Sequence, residues 1–328
     1  MTISILIAVY KGENYLAEQI QSILANDLLP NEIIFVDDCP EAPSKHIVDG
    51  FSDLLSEIDV TYILQETNVG PTLSFKRAVL ESKCDVLFFC DQDDFWNKDK
   101  IVALSSYFDE QDCLMVYSDG EITNSELAPT SDTIFSTRKR ADLRLGQQRN
   151  PREFLSNPDI KGCMMAFRGN FARAVFNLAP ENFHHYWGHD HWLALFAYAK
   201  QGIRVHNESL FLHRFHGGNA SSAVRFSIFN LDIFKRYWKR AVSENPDHVY
   251  QRYALLKQNE FSRDLNGLNE AIDYFLEMET RRLGILKRSR IFRILALIGL
   301  FPYFSSYRNG VASVFRDWFI TPGFSENQ

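Results

Sequence analysis

The chain has 328 residues, 45% hydrophobic and 14% aromatic, with 27 phenylalanines. That is apolar mass for one large domain, or a domain with an appendage, and it excludes wholesale disorder. The net charge of −7 conceals an asymmetry: residues 280–316 hold eight basic side chains and no acid, leaving 27 of the 35 basic residues against 42 acids elsewhere, a balance of −15. An acidic body excludes general nucleic-acid binding, and the basic tail points to a local anionic partner. Five cysteines without C-x-x-C spacing suit a reducing compartment and argue against a disulfide scaffold or a zinc–cysteine site. The N-terminus enters an apolar run with no basic leader, so no signal peptide is expected. No apolar run approaches the roughly 20 residues needed to cross a bilayer.

In chain order, residues 3–9 (I-S-I-L-I-A-V) read as a first buried strand, followed by Tyr10-Lys11-Gly12. Residues 13–24 follow at helical spacing, with Leu16, Ile20, Ile23 and Leu24 on one side. Residues 32–36 form a second strand ending in Asp37-Asp38, and 43–58 a helix. Residues 60–64 make a third strand, and Asn68-Val69-Gly70-Pro71 leads into a helix through Ser82. The fourth strand, 85–90, ends abruptly in Asp91, Asp93 and Asp94, before a helix over 99–108. Strands alternating with helices predict βαβ units and a largely parallel sheet. In such sheets ligands bind beyond the carboxyl ends of the strands, and acids recur at the ends of the second and fourth.

Further on, 113–117 reads as a fifth strand and 118–151 as a long loop or small insertion with a basic patch, Arg138-Lys139-Arg140. Residues 163–167 are strand-like, followed by a helix through Leu178. A histidine-rich stretch then opens a helix near Asp190, with two short strands, 203–206 and 210–215, before His216-Gly217-Gly218-Asn219. From Phe226 onward the pattern is helical.

The chemistry concentrates at D-Q-D-D. Crowded carboxylates repel unless a cation neutralises them, and Mg²⁺ or Mn²⁺ prefers oxygen ligands shared with substrate phosphates. The same acids also suit a solvated turn capping the next helix. Asp190 at a helix start is an ionised carboxylate suited to accept a proton, or a helix-capping aspartate. The clustered histidines raise a zinc hydrolase as an alternative, but His189 and His191 would diverge on a helix and no H-E-x-x-H is present.

I-S-I-L-I-A-V-Y-K-G-E-N-Y-L, V-D-D, N-V-G, C-D-Q-D-D-F-W, H-D-H-W and R-F-H-G-G-N occur in this order. Together they resemble a family-two glycosyltransferase of the GT-A fold, over about residues 2–221, and most closely the rhamnosyltransferase-like branch of bacterial surface-polysaccharide synthesis. The resemblance implies an α/β fold with a mostly parallel sheet flanked by helices. It implies a catalytic domain over residues 1–222, and the remainder, 223–328, reads as a helical extension whose membrane association is left open. It implies an inverting, Mg²⁺- or Mn²⁺-dependent transfer of a sugar, rhamnose favoured, to a saccharide acceptor, lipid-linked, in O-antigen or capsule-type synthesis. The donor would be dTDP-rhamnose or a UDP-sugar.

By the same resemblance Ala8 and Tyr10 pack the nucleotide base, Asp38 contacts it, and Asn68 and Gly70 close on the nucleotide. Asp93 and His216 are metal ligands, Asp91 faces the ribose or the metal, and Arg214 lies near the diphosphate. Asp190 is the general base and Trp192 shapes the acceptor pocket. Residues 294–301 are too short to span a bilayer; beside Arg288, Arg290 and Arg293 they suit a helix in the membrane interface, or a helical pair packed on its own protein. The expected location is cytoplasmic, on the inner face of the membrane. A non-catalytic sugar-nucleotide-binding scaffold is the competing class. A nucleotidyltransferase would show a Gly-rich basic loop where this chain has K-G-E-N.

Overall fold

The computed structural model describes residues 1–137, 146, 149–157, 160–216, 247–258, 264–288, 290–307, 314, 317 and 318. The basic patch 138–140, Gly217-Gly218-Asn219 and the helical reading from Phe226 to residue 246 lie outside the described residues.

The chain divides into two compact units. The first takes Met1–Arg149 and Asp159–Ser222; the second takes Asn150–Pro158 and Ala223–Gln328. Residues 150–158, which sequence order assigns to the first unit, therefore belong to the second.

The first unit is built on β1 (Ile3–Val9), β2 (Glu32–Asp37), β3 (Asp59–Leu64), β4 (Val86–Asp91), β5 (Phe95–Trp96), β6 (Met115–Thr123), β7 (Pro129–Thr133), β8 (Met165–Arg168) and β9 (Ile203–Arg214). Its helices are α1 (Leu16–Leu24), α2 (Lys45–Asp49), α3 (Pro71–Glu81), α4 (Lys100–Ser105), α6 (Gly169–Leu178) and α7 (His189–Ala199). Helix α5 (Pro151–Ser156) stands between α4 and α6 in sequence but in the second unit.

The strand order is β3-β2-β1-β4-β8-β6-β9-β5, with β7 paired to β6. Strands β3, β2, β1 and β4 are parallel, and the apolar runs of β1, β2 and β4 are buried as a doubly covered sheet requires. The expected parallel sheet ends there. Strand β8 enters antiparallel between β4 and β6, so the second half is mixed.

Three other expectations change. The 43–58 helix shortens to Lys45–Asp49 followed by turns. Strand β6 runs on to Thr123, into what reads as loop. The two short strands after α7 are one, β9, whose register shifts against β6 stand where the sequence suggests a break.

Topology carries six carboxyl ends to one edge. Strands β1, β2, β3 and β4 end there in parallel, and β6 and β9 run the same way because β8 is antiparallel to both β4 and β6. The tiny β5 pairs Phe95 with Leu212 and Trp96 with Phe211. That pairing swings residues 93–94 onto the end of β9.

The second unit contains α5, α8 (His248–Leu255), α9 (Asn269–Leu286), α10 (Arg290–Gly299) and α11 (Phe301–Tyr307). Asn150 caps α5 by accepting from the Arg152 and Glu153 N–H groups, and the Arg152 guanidinium lies 3.8 Å from the Tyr274 ring centre. Tyr253 stacks on Phe275 at 4.6 Å. Arg282 is buried with two carboxylates, Glu279 at 2.9 Å and Asp317 at 2.5 Å.

Candidate functional site

Each site residue is placed by a strand end. On β1, Ala8 pairs with Asp91 of β4 and Val36 of β2. Tyr10, just beyond, is exposed, and its backbone is pinned by Gln92: the side-chain amide accepts from Tyr10 N at 2.9 Å and donates to Tyr10 O at 2.8 Å. By sequence alone, Gln92 is assigned no role. In the structure it ties the acidic loop to β1.

At the end of β2, Asp37 is consumed internally, accepting from Cys39 N, Ser44 N and the Tyr62 hydroxyl. Asp38 accepts from Val69 N at 2.8 Å and Gly70 N at 2.7 Å. Its carboxylate thus shapes the 68–70 loop, and only its remaining lone pairs are open to a ligand N–H. Gly70 has φ +83°, which a residue with a Cβ adopts only under strain, and it caps α3. Asn68 is exposed on the same loop.

Beyond β4, Asp93 Oδ2 lies 2.8 Å from His216 Nε2, and the His216 ring packs on Tyr15 at 4.8 Å. Burial, followed by repulsion from Asp94 and Asp93, pushes the Asp91 carboxyl up to about 7. Burial and Asp94 also raise Asp93, against the lowering effect of His216. Two carboxyls driven toward their neutral forms mark a site short of positive charge. Carboxylate oxygens with one imidazole are a donor set that fits Mg²⁺ or Mn²⁺, and the imidazole favours the transition metal of the two.

Asp94 is the third acid. It is fully buried, accepts from His213 Nδ1 at 2.8 Å and from Arg214 N at 3.3 Å, and its Oδ2 has no hydrogen-bond partner. His213 Nε2 lies 3.0 Å from Lys161 Nζ. An ammonium only donates, so Nε2 accepts and Nδ1 carries the proton given to Asp94. Oxygen, sulfur and nitrogen atoms of Asp94, Cys163 and His213 lie within 4.8 Å of one another. With both His213 ring nitrogens engaged, these residues form a hydrogen-bonded support under Asp93. In sequence His213 reads as one of several ordinary histidines, and only its pairing across 119 residues reveals it.

Arg214 needs a correction. Expected near a donor diphosphate, its guanidinium instead turns inward and is buried. It donates to Asp93 O at 2.9 Å and to Ser125 O at 2.6 Å, pairs with Glu18, and lies 4.6 Å from the Tyr15 ring centre. It clamps the backbone that carries Asp93. Trp192 needs another. It is fully buried against Phe183 at 5.3 Å and Phe196 at 5.2 Å, and offers no face to an acceptor. A tryptophan four residues into a helix points wherever the apolar core lies.

Asp190 stands in the first turn of α7, behind the N-cap Gly188, and accepts from His191 N at 2.7 Å. Burial raises its carboxyl, but His191, His189 and the backbone N–H outweigh this and hold it below the usual value. His189 lies flat on Phe75 at 4.2 Å, and burial pulls its imidazole down to about 4. The positive end of the helix N-terminus adds to the influences that favour the ionised form of Asp190.

The segment 160–163 joins the two halves of the site. Ile160 O faces His191 Nε2 at 3.3 Å and Lys161 faces His213. Gly162 lies so close to His189 that a Cβ there would stand 2.7 Å from Nε2. Cys163 O accepts from Lys100 at 2.7 Å. Lys100 is buried between Trp96 and Phe211, and desolvation lowers its ammonium to about 8.

The sequence profile described as Glycosyl transferase family 2 matches residues 4–176, more than half of the chain. The chain belongs to glycosyltransferase family 2. It is 31% identical over 151 residues to the uncharacterized glycosyltransferase YwdF of Bacillus subtilis, covering 44% of this chain and 54% of that one. It is 25% identical over 116 residues to TuaG of the same organism, a putative teichuronic acid biosynthesis glycosyltransferase, covering 35% and 45%. The match thus spans about half the length of these curated relatives. Among solved structures, Staphylococcus aureus TarS residues 1–349 with UDP superposes with a TM-score of 0.56 at 16% identity, covering 98% of this chain and 90% of that one. The Pyrobaculum calidifontis mannosyltransferase PcManGT, with GDP-Man and Mn²⁺, gives 0.52 at 14% identity, covering 96% and 85%. At these identities the likeness establishes the GT-A fold.

Proposed function

We propose that this protein is an inverting, divalent-metal-dependent glycosyltransferase that moves a sugar from a nucleotide-diphosphate donor to a saccharide acceptor. One observation carries the reading: Asp91, Asp93 and His216 gather at the sheet edge where Ala8, Tyr10, Asp38 and the 68–70 loop also end, in a family-two chain.

Asp93 and His216 would hold the cation, with Asp91 beside them. The bound cation supplies positive charge that makes diphosphate a better leaving group. Arg214 and the Asp94–His213–Lys161 chain keep Asp93 in place. Tyr10 presents an exposed ring for a base to stack on. Asp190 takes the proton from the acceptor hydroxyl as its oxygen bonds to the anomeric carbon and the bond to diphosphate breaks.

TarS is named a poly(ribitol-phosphate) beta-N-acetylglucosaminyltransferase and TuaG is named for teichuronic acid, which supports a role in cell-surface polymer synthesis. A rhamnose donor rests on motif resemblance alone, and the relatives' names carry N-acetylglucosamine and mannose instead. A lipid-linked acceptor would place the enzyme at a membrane surface, on the cytoplasmic side where sugar nucleotides are made. Among the described residues no helix is long and apolar enough to cross a membrane.

The hydrolase alternative loses its basis because the histidines scatter. His189 lies on Phe75, His191 faces Ile160 O, and His213 and His216 serve different acids. Calorimetry with dTDP, UDP and GDP, each with and without Mn²⁺, tests the reading on the wild type and Asp93→Ala. One nucleotide should bind with metal and lose that binding in the variant. Binding of none refutes the donor site. Metal-dependent binding without transfer to any acceptor would favour a sugar-nucleotide-binding scaffold.

A further inference from the structure

Helix α10 has two apolar sides. Leu297, and Leu300 just past its end, are buried within the second unit. Arg293 is buried with them, donating to Leu286 O at 2.7 Å and Arg288 O at 3.0 Å, so it caps the end of α9 and is withdrawn from solvent. The opposite side is apolar as well: Phe292, Leu295 and Ile298 are 68, 73 and 57% exposed, and Phe301 follows at 41%. Four of the thirteen large apolar side chains exposed among the described residues thus fall within ten positions, spaced three apart. Scattered singly they would need no account, but contiguity marks an interaction surface.

The charge beside this face selects the partner. Lys287 and Arg288 are exposed in the turn that leads into α10, and no acid occurs from 280 to 316. A second copy of the chain would bring the same positive run against itself. An anionic bilayer offers an apolar interior under a negative surface. At ten residues α10 is about 15 Å long, half of what a span needs, so it would lie in the plane.

We propose that the 292–301 face of the second unit docks on an anionic lipid surface. Phe292, Leu295, Ile298 and Phe301 enter the headgroup–acyl boundary, while Lys287 and Arg288 meet lipid phosphates. This deepens the proposed action at a membrane and rests on it only for its purpose, since the docking face is complete without a donor. Apolar insertion or a basic patch alone holds a protein weakly, and the two together give stable attachment.

The test is flotation of the full chain with vesicles of phosphatidylcholine, with and without phosphatidylglycerol. Wild type should float only with phosphatidylglycerol and should detach in high salt. Leu295→Ser/Ile298→Ser and Lys287→Glu/Arg288→Glu should each lower the floated fraction at least tenfold. All four positions are at the surface, so melting temperature and nucleotide binding should match wild type. Failure of wild type to float, equal flotation on neutral vesicles, or equal flotation of both variants overturns the proposal. A dimer in ultracentrifugation that Leu295→Ser/Ile298→Ser abolishes would overturn it in favour of a second copy. Nucleotide binding measured on the same samples separates the two readings: flotation lost in the variants with no nucleotide bound by wild type refutes the donor site and leaves the docking face standing.

Discussion

The Arg214 guanidinium donates to the backbone carbonyl of Asp93 at 2.9 Å, across 121 residues of sequence. The arginine ends β9, and the aspartate lies in the loop between β4 and β5. Its other bonds go to Ser125 O and Glu18, so one side chain fixes three segments at the metal edge. Arg214→Lys keeps the charge but loses the planar fork that reaches all three. Supporting partners of metal ligands typically cost 10–100-fold in affinity when removed. Mn²⁺-dependent nucleotide binding should weaken by about that factor, while Glu18→Gln should have a smaller effect. Calorimetry on both variants checks this.

Asp190→Asn should bind nucleotide and metal as wild type does and lose sugar transfer by about 10²-fold or more, the scale of general-base catalysis. The amide still accepts from His191 N through its oxygen but takes no proton. Turnover near the wild-type rate would remove Asp190 from the reaction.

Asp38→Asn replaces one acceptor of the Val69–Gly70 pair with an NH₂ that faces an N–H. An unmade bond of this kind costs about 1–3 kcal/mol. The 68–70 loop should loosen and nucleotide affinity should fall roughly tenfold or more, with the same metal requirement. Denaturant unfolding with and without nucleotide would show a loss of ligand-linked stability larger than the loss in the free protein.

His189 sets an acid limit on stability. Its imidazole is pulled from the ordinary 6.5 to about 4 by burial, and its Nε2 has no hydrogen-bond partner. As pH falls through 6.5 the unfolded chain takes up a proton that the folded chain refuses. Stability therefore drops from pH 6.5 down to about 4, where the folded form protonates as well. A tenfold change in proton affinity is worth about 1.4 kcal/mol, and burial weakens this imidazole by more than a hundredfold, so the total loss is on the order of 3 kcal/mol. His189→Phe, stacked on Phe75 in the same slot, should flatten that part of the stability curve. Unfolding free energies of both proteins between pH 4 and 7 measure it.

Short continuous apolar runs in β1, β2 and β4, bounded by turn residues, suit strands buried on both faces, and acids at their ends fall on one edge when the strands are parallel. For that reason the sheet edge and its acids were legible in the sequence by itself, and the ordered motifs carried the family resemblance. Local periodicity does not encode which distant segments meet. The insertion of β8 between β4 and β6, and the two-residue strand β5 pairing with β9, are decisions of tertiary packing. They bring His213, Arg214 and His216 to Asp94 and Asp93, turn Arg214 inward as a clamp, and assign Gln92 to the Tyr10 backbone. Trp192 shows the same limit from the other side: helical spacing places it near Asp190 and one turn from Phe196, but its burial against Phe183, which precedes the helix, is settled only by the fold.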